Sequence, residues 1–203
     1  MIGKAIFLAF VFALATPARA ADPPAAAASG PFRFDRAHTA INFSIDHFGF
    51  SAAYGFFTAF EPVISFDPAK PEKTKIDVTI DAASINTAWP ARDEELRGEH
   101  FFNVAKFPTI AYKSTTVELT GIDTAKLMGN LTLLGITKPL VLDVKLNKRG
   151  PHAFRPTVEV VGFSATGVLK RSEFGMTALL PGLGDDVTLT IGAEINNSLP
   201  RPK

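Results

Sequence analysis

The chain has 203 residues, 21 basic against 20 acidic side chains, a formal charge of +1, and no cysteine. A balance this close gives no electrostatic footprint for nucleic acid. The missing cysteine removes disulfides, thiol catalysis, cysteine-ligated metals and a lipoprotein thiol together.

The first twenty residues have the pattern of an export signal. Lys4 supplies a positive start, Ala5 to Ala15 is a short apolar run, and Ala18-Arg19-Ala20 gives a small-x-small cleavage site. A spanning helix needs about 20 apolar residues, so this run is a leader rather than an anchor. Cleavage after Ala20 and a periplasmic location are therefore expected. Residues 21–31 are low in bulky side chains and read as a flexible segment. Residues 32–197 form one domain with a sizeable core, and 198–203 a C-terminal tail.

From Phe32 onward the dominant signal is period two. Ile41, Phe43, Ile45 and His47 share one face against Asn42, Ser44 and Asp46. Ile76, Val78 and Ile80 oppose Lys75, Asp77, Thr79 and Asp81. Leu140, Leu142, Val144 and Leu146 oppose Asp143, Lys145 and Asn147. Val187, Leu189 and Ile191 oppose Thr188 and Thr190. Four further runs alternate more weakly, giving roughly eight strands. The turns between strands are expected at Asp67-Pro68, Thr120-Gly121, Lys138-Pro139 and Arg149-Gly150-Pro151. One-sided alternation implies antiparallel strands, and with a single helix in view the sheet must cover itself as a barrel or a sandwich.

That helix is expected in "NTAWPARDEELRGEHFF", residues 86–102. Thr87 is placed to cap it, Pro90 suits its first turn and Gly98 ends it. The spacings Asp93–Arg97 and Arg92–Glu95 predict surface ion pairs, and Trp89, Leu96, Phe101 and Phe102 are expected to cover one mouth of the sheet.

Catalytic patterns are weak. The carboxylates Asp93, Glu94, Glu95 and Glu99 cluster as a glycosidase pair would, but the charged helix face accounts for them. His38, His47, His100 and His152 form no helical ligand pair, so no metal site is expected. His47, on an apolar face, reads first as a core histidine and second as a polar handle for a ligand. No nucleophile elbow is present, and "GMTALLPGLG" lacks the ending of a phosphate loop. The residue type that stands out is phenylalanine, 18 in all. An eight-stranded barrel is about the size that either just fills or holds one small ligand. Gly129 and Gly162, within strands, fit a cavity as well as a bend.

Four segments carry a resemblance: "FDRAHTAINFSIDHFGF" (34–50), "SINTAWPARDEELRGEHFFNVAKFPTIAYKS" (84–114), "GNLTLLGITKPLVLDV" (129–144) and "RSEFGM" (171–176). In these segments the chain resembles the YceI-like family of exported, lipocalin-like proteins. Three positions depart from the family pattern: Asn103 for Asp, Glu173 for Asp, and Gly98 for Ser. The resemblance implies an all-β fold, an extended eight-stranded antiparallel lipocalin-like β-barrel with one short helix covering one end. It also implies a long apolar channel for a polyisoprenoid chain, an isoprenoid quinone or a fatty amide. On that basis Ile41, Phe43, Ile45, Phe57, Val78, Ile80, Leu131, Leu133, Leu142, Val144, Leu189 and Ile191 are expected to line the channel, with His47 and Arg92 toward a polar end. The expected activity is binding rather than catalysis, with no cofactor beyond the lipid or quinone itself. The alternatives are a periplasmic stress-related protein-binding module with a filled core and, behind it, an enzyme acting on a lipid or sugar with Asp93 or Glu95 as acid/base; a homodimer is compatible with the first reading.

Overall fold

The computed structural model describes residues 31–198. The expected leader and most of the flexible segment and tail lie outside these residues. The strands are β1 (Arg33–Phe34), β2 (Ala40–His47), β3 (Ser51–Phe57), β4 (Phe60–Ser65), β5 (Lys75–Asp81) and β6 (Ile85–Asn86). After helix α1 (Pro90–Arg97) come β7 (Thr109–Leu119), β8 (Thr124–Leu133), β9 (Ile136–His152), β10 (Arg155–Lys170) and β11 (Leu183–Asn196). All pair antiparallel in one sheet, in the order β4-β5-β7-β8-β9-β10-β11-β2-β3-β6, with β1 beside β11.

The sheet curls until its two ends meet along the chain. β3 pairs with β2, β4 pairs with β5, and only Thr58 and Ala59 separate β3 from β4. The bend is stitched by Thr58 N–H to Ser84 O (3.1 Å) and Asp81 N–H to Ala59 O (3.0 Å). The expected eight strands become eleven for a simple reason. One long run breaks into β3 and β4, and β1 and β6 add two residues each. With β3 and β4 counted as one run beside β2, β5 and β7–β11, the lipocalin-like barrel has its eight staves.

Two expected turns are strand instead. Lys138-Pro139 and Arg149-Gly150-Pro151 both fall inside β9, which runs for 17 residues. Pro139 faces Asn130 of β8 and lies beyond the last β9–β10 pair, Asp143–Thr166, where a strand tolerates proline. The true β8–β9 turn is Leu134-Gly135, both at positive φ (51° and 74°), a conformation whose twist suits a two-residue hairpin.

Antiparallel register sets two poles. At one lie α1, the 98–108 loop, the β2–β3 turn, the β8–β9 turn and the segment from Arg171 to Gly182. At the other lie the β4–β5, β7–β8 and β9–β10 connections and β1. The main core runs between the poles, with Phe60, Ile80, Ile110, Leu127 and Leu131 among its buried members. A smaller cluster around Phe32, Val161 and Ile195 closes part of the far pole, with Phe66 edge-on to both Phe32 (5.3 Å) and Phe163 (6.0 Å). Among the described residues no helix is long and apolar enough to cross a membrane.

Candidate functional site

The inward side chains leave a cavity of about 590 Å³ along the barrel axis. Its wall follows from the register. Phe43 pairs with Leu189, Ile41 with Ile191, Leu127 with Leu142 and Ile80 with Ile110, so period-two faces on neighbouring strands point the same way. The structure brings together all fourteen positions expected from the sequence. Ile41, Phe43, Ile45, His47, Phe57, Val78, Ile80, Arg92, Leu131, Leu133, Leu142, Val144, Leu189 and Ile191 all stand on the wall.

Aromatic rings shape the interior. The ring of Phe43 lies over Gly55, where a Cβ would come within 2.3 Å of it, and sits 5.8 Å from Phe57. Phe57 meets Phe102 edge-on at 5.9 Å. Gly129 serves Tyr112 in the same way: an added Cβ would lie 2.4 Å from the tyrosine ring. The Tyr112 hydroxyl donates to Leu127 O at 3.1 Å, and burial pushes its pKa up to about 12. At Gly162 an added Cβ would meet only Lys148 O, at 3.9 Å, and the residue lies off the cavity wall at a register shift in β10, so it serves a bend rather than the cavity.

The helix pole departs from expectation in several ways. Thr87 does not cap α1; Trp89 holds that position without a side-chain bond, because Asp93 reaches back to Thr87 instead. Asp93 is only 6% exposed and makes no ion pair with Arg97, whose partner is Glu94 at 3.3 Å. Arg97 also donates to the carbonyls of Ala83 and Ile85, fastening α1 to β6. Arg92 turns from Glu95 to Thr87, donating to its hydroxyl and its carbonyl at 2.8 Å each. Leu96, Phe101 and Phe102 roof the cavity as expected. Trp89 does not, being exposed and off the wall. His47 is an exposed rim residue rather than a core histidine, because β2 ends there and turns away from the barrel.

Arg171 is the buried charge that pattern reading missed. It is 1% exposed and donates to Gly184 O (2.7 Å), Met176 O (2.9 Å) and Leu183 O (2.9 Å). Burial pulls its pKa down and Asp185 opposes that shift. It closes the segment between β10 and β11 over the cavity, and its only sequence signal was the "RSEFGM" motif.

Among the described residues no fully buried side-chain polar atom lacks a partner, and of the polar wall residues His47, Arg92 and Glu95 are exposed at the helix pole. A trio of Asp35, His38 and Glu194 lies outside the wall, with His38 Nδ1 3.3 Å from Asp35. The cavity reaches exposed residues at both poles: His47, Phe48 and Leu179 beside the helix, and Leu119 and Ile122 on the β7–β8 hairpin. From Ile110 to Leu119 along β7 it spans roughly 30 Å of strand at ~3.3 Å per residue. A long, narrow and mainly apolar chamber accommodates a chain-like apolar molecule.

Known proteins share this fold. A structure of the Campylobacter jejuni YCEI protein superposes with a TM-score of 0.68 at 34% identity, covering 76% of this chain and 91% of that one. A polyisoprenoid binding domain from Saccharophagus degradans shares the fold, with a TM-score of 0.58 at 14% identity over 83% of this chain and 99% of that one. Protein YceI of Salmonella arizonae is 39% identical over 157 residues, 77% of this chain and 81% of its own length. The model of the YceI-like domain matches residues 32–195, nearly the whole barrel with its helix, and the chain belongs to that family.

Proposed function

We propose that the protein is a periplasmic binding protein that shelters the tail of a polyisoprenoid or isoprenoid quinone inside the barrel. The observation that carries this reading is the axial cavity of about 590 Å³, walled by apolar side chains from pole to pole. The leader pattern at Lys4 to Ala20 supports export. The fold shared with a domain named for polyisoprenoid binding supports the ligand class.

Energetics agree with a tail-only grip. At about 0.8 kcal/mol per buried CH₂, one five-carbon unit contributes on the order of 3–4 kcal/mol gross. Ordering on association costs several to more than ten kcal/mol, so a few buried units suffice without a charged head-group site. An acid–base role for Asp93 fits poorly, since its Oδ1 is held by Thr87.

Organic extraction and mass spectrometry of protein purified natively from the periplasm tests the reading, beside a Phe43→Asp control. A stoichiometric isoprenoid in the wild type alone supports it and names the cargo. An empty wild-type barrel refutes it and turns attention to a protein partner.

A further inference from the structure

Four large apolar side chains stand in solvent at the helix pole: Phe50 (89% exposed), Trp89 (63%), Leu179 (56%) and Phe48 (46%). Two of them, Phe48 and Leu179, are also wall residues of the cavity. Both have backbones in the left-handed region, with φ of 56° and 60°, which bulky side chains rarely adopt. The surroundings hold them there. Phe48 N–H donates to Gly182 O at 2.9 Å and Leu183 N–H to Leu179 O at 2.9 Å. The Phe48 ring rests where any side chain at residue 182 would stand. Such conformations concentrate where function requires them. Here they keep apolar groups at the lip of an apolar chamber.

We propose that this pole is a bilayer-docking collar, in which Phe48, Phe50, Leu179 and Trp89 enter the apolar layer of a lipid membrane with the cavity mouth facing it. Phe48 and Leu179 belong both to the collar and to the cavity wall, so apolar side chains connect membrane and chamber. At this pole the exposed acids Asp46, Glu94, Glu95, Glu99 and Glu173 outnumber the exposed bases Arg92, Lys106 and Lys170. Docking therefore depends on apolar insertion rather than attraction to anionic head groups. The same acidic excess disfavours a second copy, because a two-fold contact through the collar sets these carboxylates against their own kind. The collar rests on the lipid-chamber reading only for what passes through the mouth.

Trp89 is the chain's single tryptophan and stands in the collar, so its emission reads docking directly. The experiment mixes the mature protein with phosphatidylcholine vesicles, with and without bromine-labelled acyl chains, at low and high salt. The expected result is a blue shift, quenching by the brominated lipid and co-sedimentation that salt does not abolish. Phe50→Ser, at a turn residue off the cavity wall, is expected to weaken vesicle partition about tenfold while keeping its extractable cargo. An unshifted Trp89 overturns the collar, as does binding confined to anionic vesicles at low salt. A concentration-dependent dimer that buries Trp89 without vesicles overturns it too. Docking by a protein with no extractable lipid retains the collar and sinks the chamber. A loaded protein that ignores vesicles does the reverse.

Discussion

Asp93 accepts from both the backbone N–H of Thr87 (2.8 Å) and its hydroxyl (2.5 Å), six residues back. Arg92 binds the same threonine from the other side, so one buried carboxylate organises the start of α1 and the roof above the cavity. Asp93→Ala leaves a buried N–H and hydroxyl without their acceptor and is expected to cost about 2–3 kcal/mol. Asp93→Asn, which keeps an acceptor oxygen, is expected to cost less than half of that. Urea unfolding of the three proteins checks the order.

Phe43 occupies space that Gly55 leaves free. Gly55→Ala is expected to push the ring into the cavity, reducing bound lipid several-fold at a stability cost of about 1–3 kcal/mol. Leu133→Trp, which fills the wall from β8, is expected to abolish uptake while the barrel stays folded. Lipid content per mole of protein, measured beside circular dichroism, separates filling from unfolding. Unchanged content in both variants counts against this channel.

Arg171 holds three carbonyls with one guanidinium. Arg171→Lys retains the charge but not the planar fork, so it is expected to lose most of this closure. Arg171→Ala is expected to cost about 3–5 kcal/mol. Both variants should show faster hydrogen exchange across Met176 to Gly184, and rescue by lysine would contradict the geometry.

An ordinary tyrosine ionises near pH 10, whereas burial raises Tyr112 to about 12. The folded protein therefore keeps this proton longer than the unfolded chain. The stabilisation is full below about pH 10 and is lost as pH rises through about 12. The Lys126–Asp143 and Lys170–Asp186 pairs raise their lysines and act in the same direction. Melting temperatures of the wild type and Tyr112→Phe from neutral to strongly alkaline pH isolate the tyrosine. The gap between them should narrow above pH 10.

Leu119 and Ile122 put the cavity wall at the surface of the far pole as well. Isoprenoid alcohols longer than the barrel are thus expected to bind as well as shorter ones, with their ends emerging beside Ile122. Ile122→Glu should weaken the longest of the series and spare the shortest. A sharp fall in affinity once chain length exceeds the barrel, in the wild type, would show a closed base.

Period-two patterning made the barrel and its wall legible because each inward face is fixed by local alternation and one buried side. Ile41 to Ile45 and Leu140 to Val144 needed no partner to declare their direction. The misread positions are those whose state depends on distant chain. Pro139 and Gly150 look like turns, yet each lies in a long strand stabilised by residues of β8 or β10. Thr87 has the chemistry of a cap, but Asp93 competes for it successfully. His47 shares the parity of Ile45 but falls at the last residue of its strand. Arg171 has no local signature, because its acceptors are carbonyls that only the fold brings near.

The pairing of Arg33 with Asn196 places the start and finish of the domain side by side at the pole opposite α1. The molecule is thus a sleeve held by one end. A surface linkage or fluorescent tag attached at β1 would hang from that end and leave the helix pole unobstructed. Immobilised through Arg33, the exposed partner of Asn196 on β1, the protein would still present Phe50 and Trp89 outward, and cargo exchange could be followed on a single tethered layer.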